Sequence, residues 1–131
     1  MTGIVIVVHT PLGGAMLGCA EHVLGTVDGV AVHDVLPDDK PDDVAPRVLA
    51  DILRADRGNG VLVLTDLIGA TPANIAKRAV ADARSQGVSC CVVAGLNTPM
   101  LLRAITNRDL SLADIREKAL SGGMQGCLRV D

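Results

Sequence analysis

Short, unbroken apolar runs alternate with longer amphipathic stretches along nearly the whole chain. Ile4 to Val8 is a β-branched run of the kind expected for a strand covered on both faces, and Val30 to Val35, Val61 to Thr65 and Val88 to Ala94 repeat the pattern. Between them the period changes from two to about 3.6. Ala15, Met16, Cys19, Ala20, Val23 and Leu24 recur at helical spacing and Gly25 supplies a stop. Val44, Val48, Leu49, Ile52 and Leu53 form the stripe of a second helix, which carries Pro41, Asp42 and Asp43 at its start and Arg54 and Arg57 at its end, as the helix dipole favours. A third is announced by Thr71 as N-cap and Pro72, with Ile75, Ala76, Ala79, Val80 and Ala83 facing inward, and Gly87 ends it. A short helix follows Asn97-Thr98-Pro99 and runs through Ile105. Ser111 with Asp114 resembles a capping box opening a last helix that stops at Gly122-Gly123, after which Met124 to Val130 alternates as a final strand.

Strand and helix alternate four times, with no linker and no internal repeat. The expected architecture is α/β: a single doubly wound, mainly parallel sheet, built from four parallel strands plus a C-terminal edge strand, with helices on both faces and residues 1–131 forming one domain. The edge strand, Met124 to Val130, is placed where pairing between subunits is open to it.

Composition narrows the function. Of the 131 residues 49% are apolar and none is Phe, Tyr or Trp, so the core is packed from aliphatic, Met and Cys side chains alone. A chain without aromatic stacking platforms and with a net charge of −3 is not expected to bind nucleic acid. Residues 1 to 20 carry no formal charge, yet the run lacks a basic start and is broken by Pro11, Gly13 and Gly14. It reads as strand plus helix, with no direct membrane insertion expected. Cys19, Cys90, Cys91 and Cys127 show no C-x-x-C spacing and no paired histidines. Buried, reduced thiols and a cytoplasmic location are the expectation, and neither a metal nor a cofactor is.

Two of the strand ends carry chemistry. The first apolar run stops at His9 and the third at Asp66, and in open α/β sheets ligands collect at the carboxyl ends of strands, where the strand order reverses. Three segments, His9-Thr10-Pro11, Ala70-Thr71-Pro72 and Asn97-Thr98-Pro99, each place Thr-Pro where a helix should begin. Helix starts present unpaired N–H groups and partial positive charge, and three near one point would suit a phosphoryl group. There is no P-loop, no Gly-x-Gly-x-x-Gly and no Ser-His nucleophile motif to compete with His9. Asp66 as a phosphorylated aspartate is the rival chemistry. Such a site gathers further acids around Mg²⁺, and here the first strand ends in a histidine. Turn-capping is the plain structural role for Asp66, and surface or packing roles are expected of His22 and His33.

His9 after its strand, Thr65-Asp66-Leu67-Ile68-Gly69-Ala70-Thr71-Pro72-Ala73-Asn74 and Gly95-Leu96-Asn97-Thr98-Pro99-Met100-Leu101 resemble the enzyme IIA domains of the mannose family of the bacterial sugar phosphotransferase system. The resemblance covers essentially the whole chain. It implies a cytoplasmic carrier that takes a phosphoryl group from phospho-HPr onto His9 and hands it to a histidine of a IIB protein or domain, or uses it for regulation. Asp66 would then hydrogen-bond the imidazole, with Thr65, Gly69, Ala70 and Thr71 as the wall around the phosphoryl group. It also implies a homodimer that exchanges the C-terminal strand. Two departures are visible: Thr10-Pro11 follows the histidine where many members have Gly, and Ile68 replaces an aromatic. The other reading is an anion-binding regulatory module that keeps the fold without the transfer.

Overall fold

The computed structural model describes residues 1–131. Nine elements follow in the order β1 (Gly3–His9), α1 (Leu12–Leu24), β2 (Val30–Val35), α2 (Pro41–Ala55), β3 (Val61–Thr65), α3 (Thr71–Ser85), β4 (Cys90–Val93), α4 (Thr98–Thr106) and α5 (Leu112–Gln125). The four strands form one parallel sheet in the order β2-β1-β3-β4. The chain builds outward from β1 to β2, then returns past β1 to lay down β3 and β4. The reversal therefore falls between β1 and β3.

Alternation along the strands divides the core in two. Val5, Val7, Val61 and Val63 point to the face covered by α2 and α3, where Val48, Ile52, Ala76 and Ala79 meet them. Ile4, Ile6, Val8, Leu62 and Leu64 point to the other, under Ala20 of α1, Leu101 and Ala104 of α4, and Ile115 and Ala119 of α5. Ile4 to Val8 and Val61 to Leu64 have no solvent exposure, and each such side chain is worth roughly 1.5–3 kcal/mol over an exposed one. Small residues let the layers close. A side-chain carbon on Gly3 would sit 2.7 Å from the Ala55 carbonyl oxygen, so only glycine lets the end of α2 lie on the start of β1.

Several expectations are corrected. The α1 stripe is mostly turned outward: only Gly13 and Ala20 are buried, while Ala15, Cys19, Val23 and Leu24 are exposed. The thiols are not uniformly buried, since Cys19 and Cys127 are exposed and Cys90 alone is fully covered. Ala70, not Thr71, is the N-cap of α3, and no side chain caps it.

The largest difference is at the end of the chain. Gly122-Gly123 does not stop α5, which continues to Gln125, and Met124 to Val130 is not a strand within this chain. The glycines serve close packing: a carbon added at Gly122 would lie 2.8 Å from Cβ of Arg103, and one at Gly123 would lie 2.8 Å from Cε of Met100. Contact with α4 outweighs the low helix propensity of glycine. The residues after Gly126 have no regular structure and are exposed, so their alternating pattern has no buried face to serve.

Candidate functional site

β1 runs beyond its last paired position on β3, Val7 opposite Thr65, and so carries His9 alongside Asp66 at the reversal point. The Asp66 carboxylate is held by three donors. Oδ2 accepts the His9 backbone N–H at 3.1 Å and the ring Nδ1 at 2.7 Å, while Oδ1 accepts the Leu67 N–H at 2.9 Å. A carboxylate accepts only, so the neutral ring places its proton on Nδ1 and leaves the Nε2 lone pair free. The His9 side chain is 49% exposed and that of Asp66 14%, which puts the anchor inside and the reactive ring outside. Burial pushes the Asp66 carboxyl up. The hydrogen bonds from the His9 ring, the His9 amide and the Leu67 amide, with the attraction of His9, outweigh it, and the net pKa lies below the ordinary carboxylate value.

The segment after Asp66 turns at Gly69, whose φ of +83° is a conformation that favours glycine, and enters α3 through Ala70 and Thr71. Gly69 and Thr71 are exposed, Ala70 is half-buried, and Thr65 is fully buried with its hydroxyl lacking any protein partner. Of the four expected wall residues, then, three reach the surface and Thr65 lies beneath it. The loop after β4 is tied to this segment by the Gly95 N–H to the Asp66 carbonyl and the Leu96 N–H to the Thr65 carbonyl, both at 3.0 Å.

The three helix starts are not equivalent. At α4, Asn97 accepts the Met100 N–H at 2.9 Å and donates to the Gly123 carbonyl at 3.0 Å, locking that start to α5. At α1, the Gly13 and Gly14 N–H groups donate to the two oxygens of Asp34, at 2.6 and 3.0 Å. Only α3 has neither a side-chain cap nor a carboxylate at its start. Sequence reasoning did not single out Asp34. The available signal was an acid within the apolar run of β2, one residue before the carboxyl end of the strand, where β1 and β3 also set their ionisable groups.

The remaining histidines lie elsewhere. His22 is exposed on α1. His33 Nε2 meets Asp51 Oδ2 at 2.7 Å, and Asp51 Oδ1 accepts from Arg54 at 2.7 Å, a half-buried link between β2 and α2. No group of three His, Cys, Asp or Glu side chains is placed to hold a metal ion, and no helix is long and apolar enough to cross a membrane. Three large apolar side chains are exposed on the two strand ends flanking His9: Leu36 after β2, and Leu67 and Ile68 after β3, at 53%, 59% and 80%.

Comparison with known proteins bears on the family and the fold. The family model EIIA-man, described as the PTS system fructose IIA component, matches residues 3–120. The PTS system mannose-specific EIIAB component of Escherichia coli strain K12 is 33% identical over 106 residues, which are 81% of this chain and 32% of that protein. The chain thus spans about a third of the length of the curated relatives it matches. Among solved structures, phosphotransferase system component EIIA from Streptococcus agalactiae aligns with a TM-score of 0.88 at 24% identity, covering 98% of this chain and 97% of that one. The mannose/sorbose specific IIA subunit from Enterococcus faecalis aligns with a TM-score of 0.86 at 23% identity, covering 99% and 95%. Likeness at that identity speaks for the fold.

Proposed function

The chain belongs to the EIIA-man family of phosphotransferase system components, and from that membership we propose that it carries a phosphoryl group on Nε2 of His9. The observation that supports this most directly is the 2.7 Å bond between His9 Nδ1 and Asp66. It occupies one ring nitrogen and so selects the other as nucleophile.

In the proposed step the Nε2 lone pair attacks the phosphorus of phosphohistidine on HPr in line. A P–N bond forms to His9 as the P–N bond to the donor ring breaks, and the donor keeps its electron pair. The proton on Nδ1 stays against Asp66, whose negative charge stabilises the ring as positive charge develops. The phosphoryl oxygens turn toward the open first turn of α3, where the amides of Gly69 and Thr71 and the Thr71 hydroxyl are the donors, Ala70 completes the wall with its own amide held by the Leu67 carbonyl at 3.3 Å, and Thr65 lies beneath. Donor and product are both phosphoramidates, so the exchange is nearly balanced and reversible, and the main task of the protein is positioning. No metal or cofactor takes part in this step. The acceptor is a histidine of a IIB protein or domain, or else the phosphorylated state serves regulation. Leu36, Leu67 and Ile68 give both partners an apolar surface around the ring. The carrier works in the cytoplasm, where its donor is. It is a homodimer whose exposed C-terminal segment, with Leu128 67% and Val130 92% exposed, pairs with the other copy.

Incubation with radiolabelled phospho-HPr tests the reading. Acid-labile, alkali-stable label on His9 is the expected result, and no label on the folded protein would leave the anion-binding regulatory module in its place. Label with the opposite lability would move the chemistry to Asp66.

A further inference from the structure

The carboxyl edge of the sheet has two sides about His9, and the β2 side is closed by a carboxylate that the transfer does not use. Asp34 lies opposite Val8 in the register, and its Oδ1 and Oδ2 accept two of the three amides that the first turn of α1 leaves unpaired, Gly13 at 2.6 Å and Gly14 at 3.0 Å. A third bond, from the Thr10 N–H to the Val35 carbonyl at 3.0 Å, joins the residue after His9 to the same strand end. The fit is tight: a side-chain carbon on Gly13 would lie 2.7 Å from Asp34 Oδ1 and 2.6 Å from Cγ1 of Val32, so glycine is what lets the carboxylate reach both amides.

We propose that Asp34 is a positioning residue that acts as a resident anion. It fills the anion seat at the start of α1, so that the only open seat beside His9 is that of α3, and it clamps the turn that carries the His9 ring. The first part follows from electrostatics. The start of a 13-residue helix attracts anions, and without Asp34 it would draw phosphoryl oxygens to the wrong side of the ring. A carboxylate both satisfies the amides and repels a second anion. The second part follows from geometry, since in-line transfer is sensitive to displacements of about 1 Å. The role rests on the phosphoryl-transfer reading. The occupied helix start does not.

The test compares the wild type with Asp34→Asn, which keeps the shape, retains one acceptor and removes the charge. Backbone amide shifts are followed by NMR while inorganic phosphate is added, and transfer from phospho-HPr is measured per folded molecule. In the wild type the Gly13 and Gly14 amides are expected to stay fixed while those of Gly69 and Thr71 move. In the variant Gly13 and Gly14 should respond to phosphate, and kcat should fall roughly tenfold with KM unchanged, as expected for lost positioning. Movement of Gly13 and Gly14 in the wild type overturns the proposal, whether or not the variant folds. So does a folded variant with wild-type kcat, or one whose Gly13 and Gly14 amides ignore phosphate. Absence of label on the wild type would instead refute the carrier function, and the phosphate titration would still decide whether Asp34 fills the seat.

Discussion

One oxygen of Asp66 holds His9 twice, by its backbone N–H at 3.1 Å and by its ring Nδ1 at 2.7 Å. Strand position and ring orientation are therefore set by the same atom. A displacement of the Asp66 loop would carry the imidazole with it.

His9→Ala should abolish labelling from phospho-HPr and change stability by less than about 1.5 kcal/mol, because the lost group is half exposed and its one internal bond is to a carboxylate that keeps two amide donors. Labelling and urea denaturation of the same preparation check this. Retained label on a folded variant would remove His9 from the reaction.

Asp66→Asn should slow transfer by roughly 10²-fold, since an amide can donate as well as accept and no longer fixes the proton on Nδ1. Stability offers an independent reading. The folded pKa of Asp66 is lowered, so its contribution is complete above the ordinary carboxylate pKa of about 4 and fades as pH drops through the folded value. The stability gap between wild type and variant should accordingly be constant near neutrality and close on acidification below about pH 4. A gap independent of pH would mean that the ionised carboxylate is not what stabilises the site.

Gly122→Ala should destabilise the protein by about 1–3 kcal/mol although alanine is the better helix former, because the added methyl would lie 2.8 Å from Cβ of Arg103 and 3.3 Å from the Pro99 carbonyl oxygen. Thermal unfolding measures it. An increase in Tm would show that α4 and α5 are not packed this closely.

Removal of residues 127–131 should convert the proposed dimer to a monomer without unfolding it, as these residues are exposed and outside α5. Light scattering before and after truncation is the measurement. A dimer that survives the cut would place the interface elsewhere, and a monomer before it would end the proposal.

The strands and the His9–Asp66 pair were legible because β1 and β3 are central, and full burial forces an unbroken apolar run whose end is marked by the first ionisable residue. The same logic hid Asp34. β2 is an edge strand, half-buried along most of its length, so an acid within it reads as ordinary surface until the amides of Gly13 and Gly14 are seen to meet it. Thr-Pro at three helix starts was real local chemistry, yet only the tertiary structure showed that two of those starts are already filled. Gly122 and Gly123 depart from the sequence expectation for a related reason. Glycine in a helix signals either a stop or a close neighbour, and the neighbour, α4, is distant in the pattern though adjacent in space.

Both halves of the core are built from aliphatic side chains, methionine and cysteine, and the only aromatic rings in the whole chain are the imidazoles of three histidines. With no Trp, Tyr or cystine the protein barely absorbs at 280 nm, gives no intrinsic fluorescence and leaves near-ultraviolet circular dichroism almost blank. Loss of its tertiary packing would go unseen by those probes. The same darkness makes it a clean background: in a mixture with a partner that contains Trp or Tyr, every change in emission belongs to the partner, and docking beside His9 can be followed without a dye.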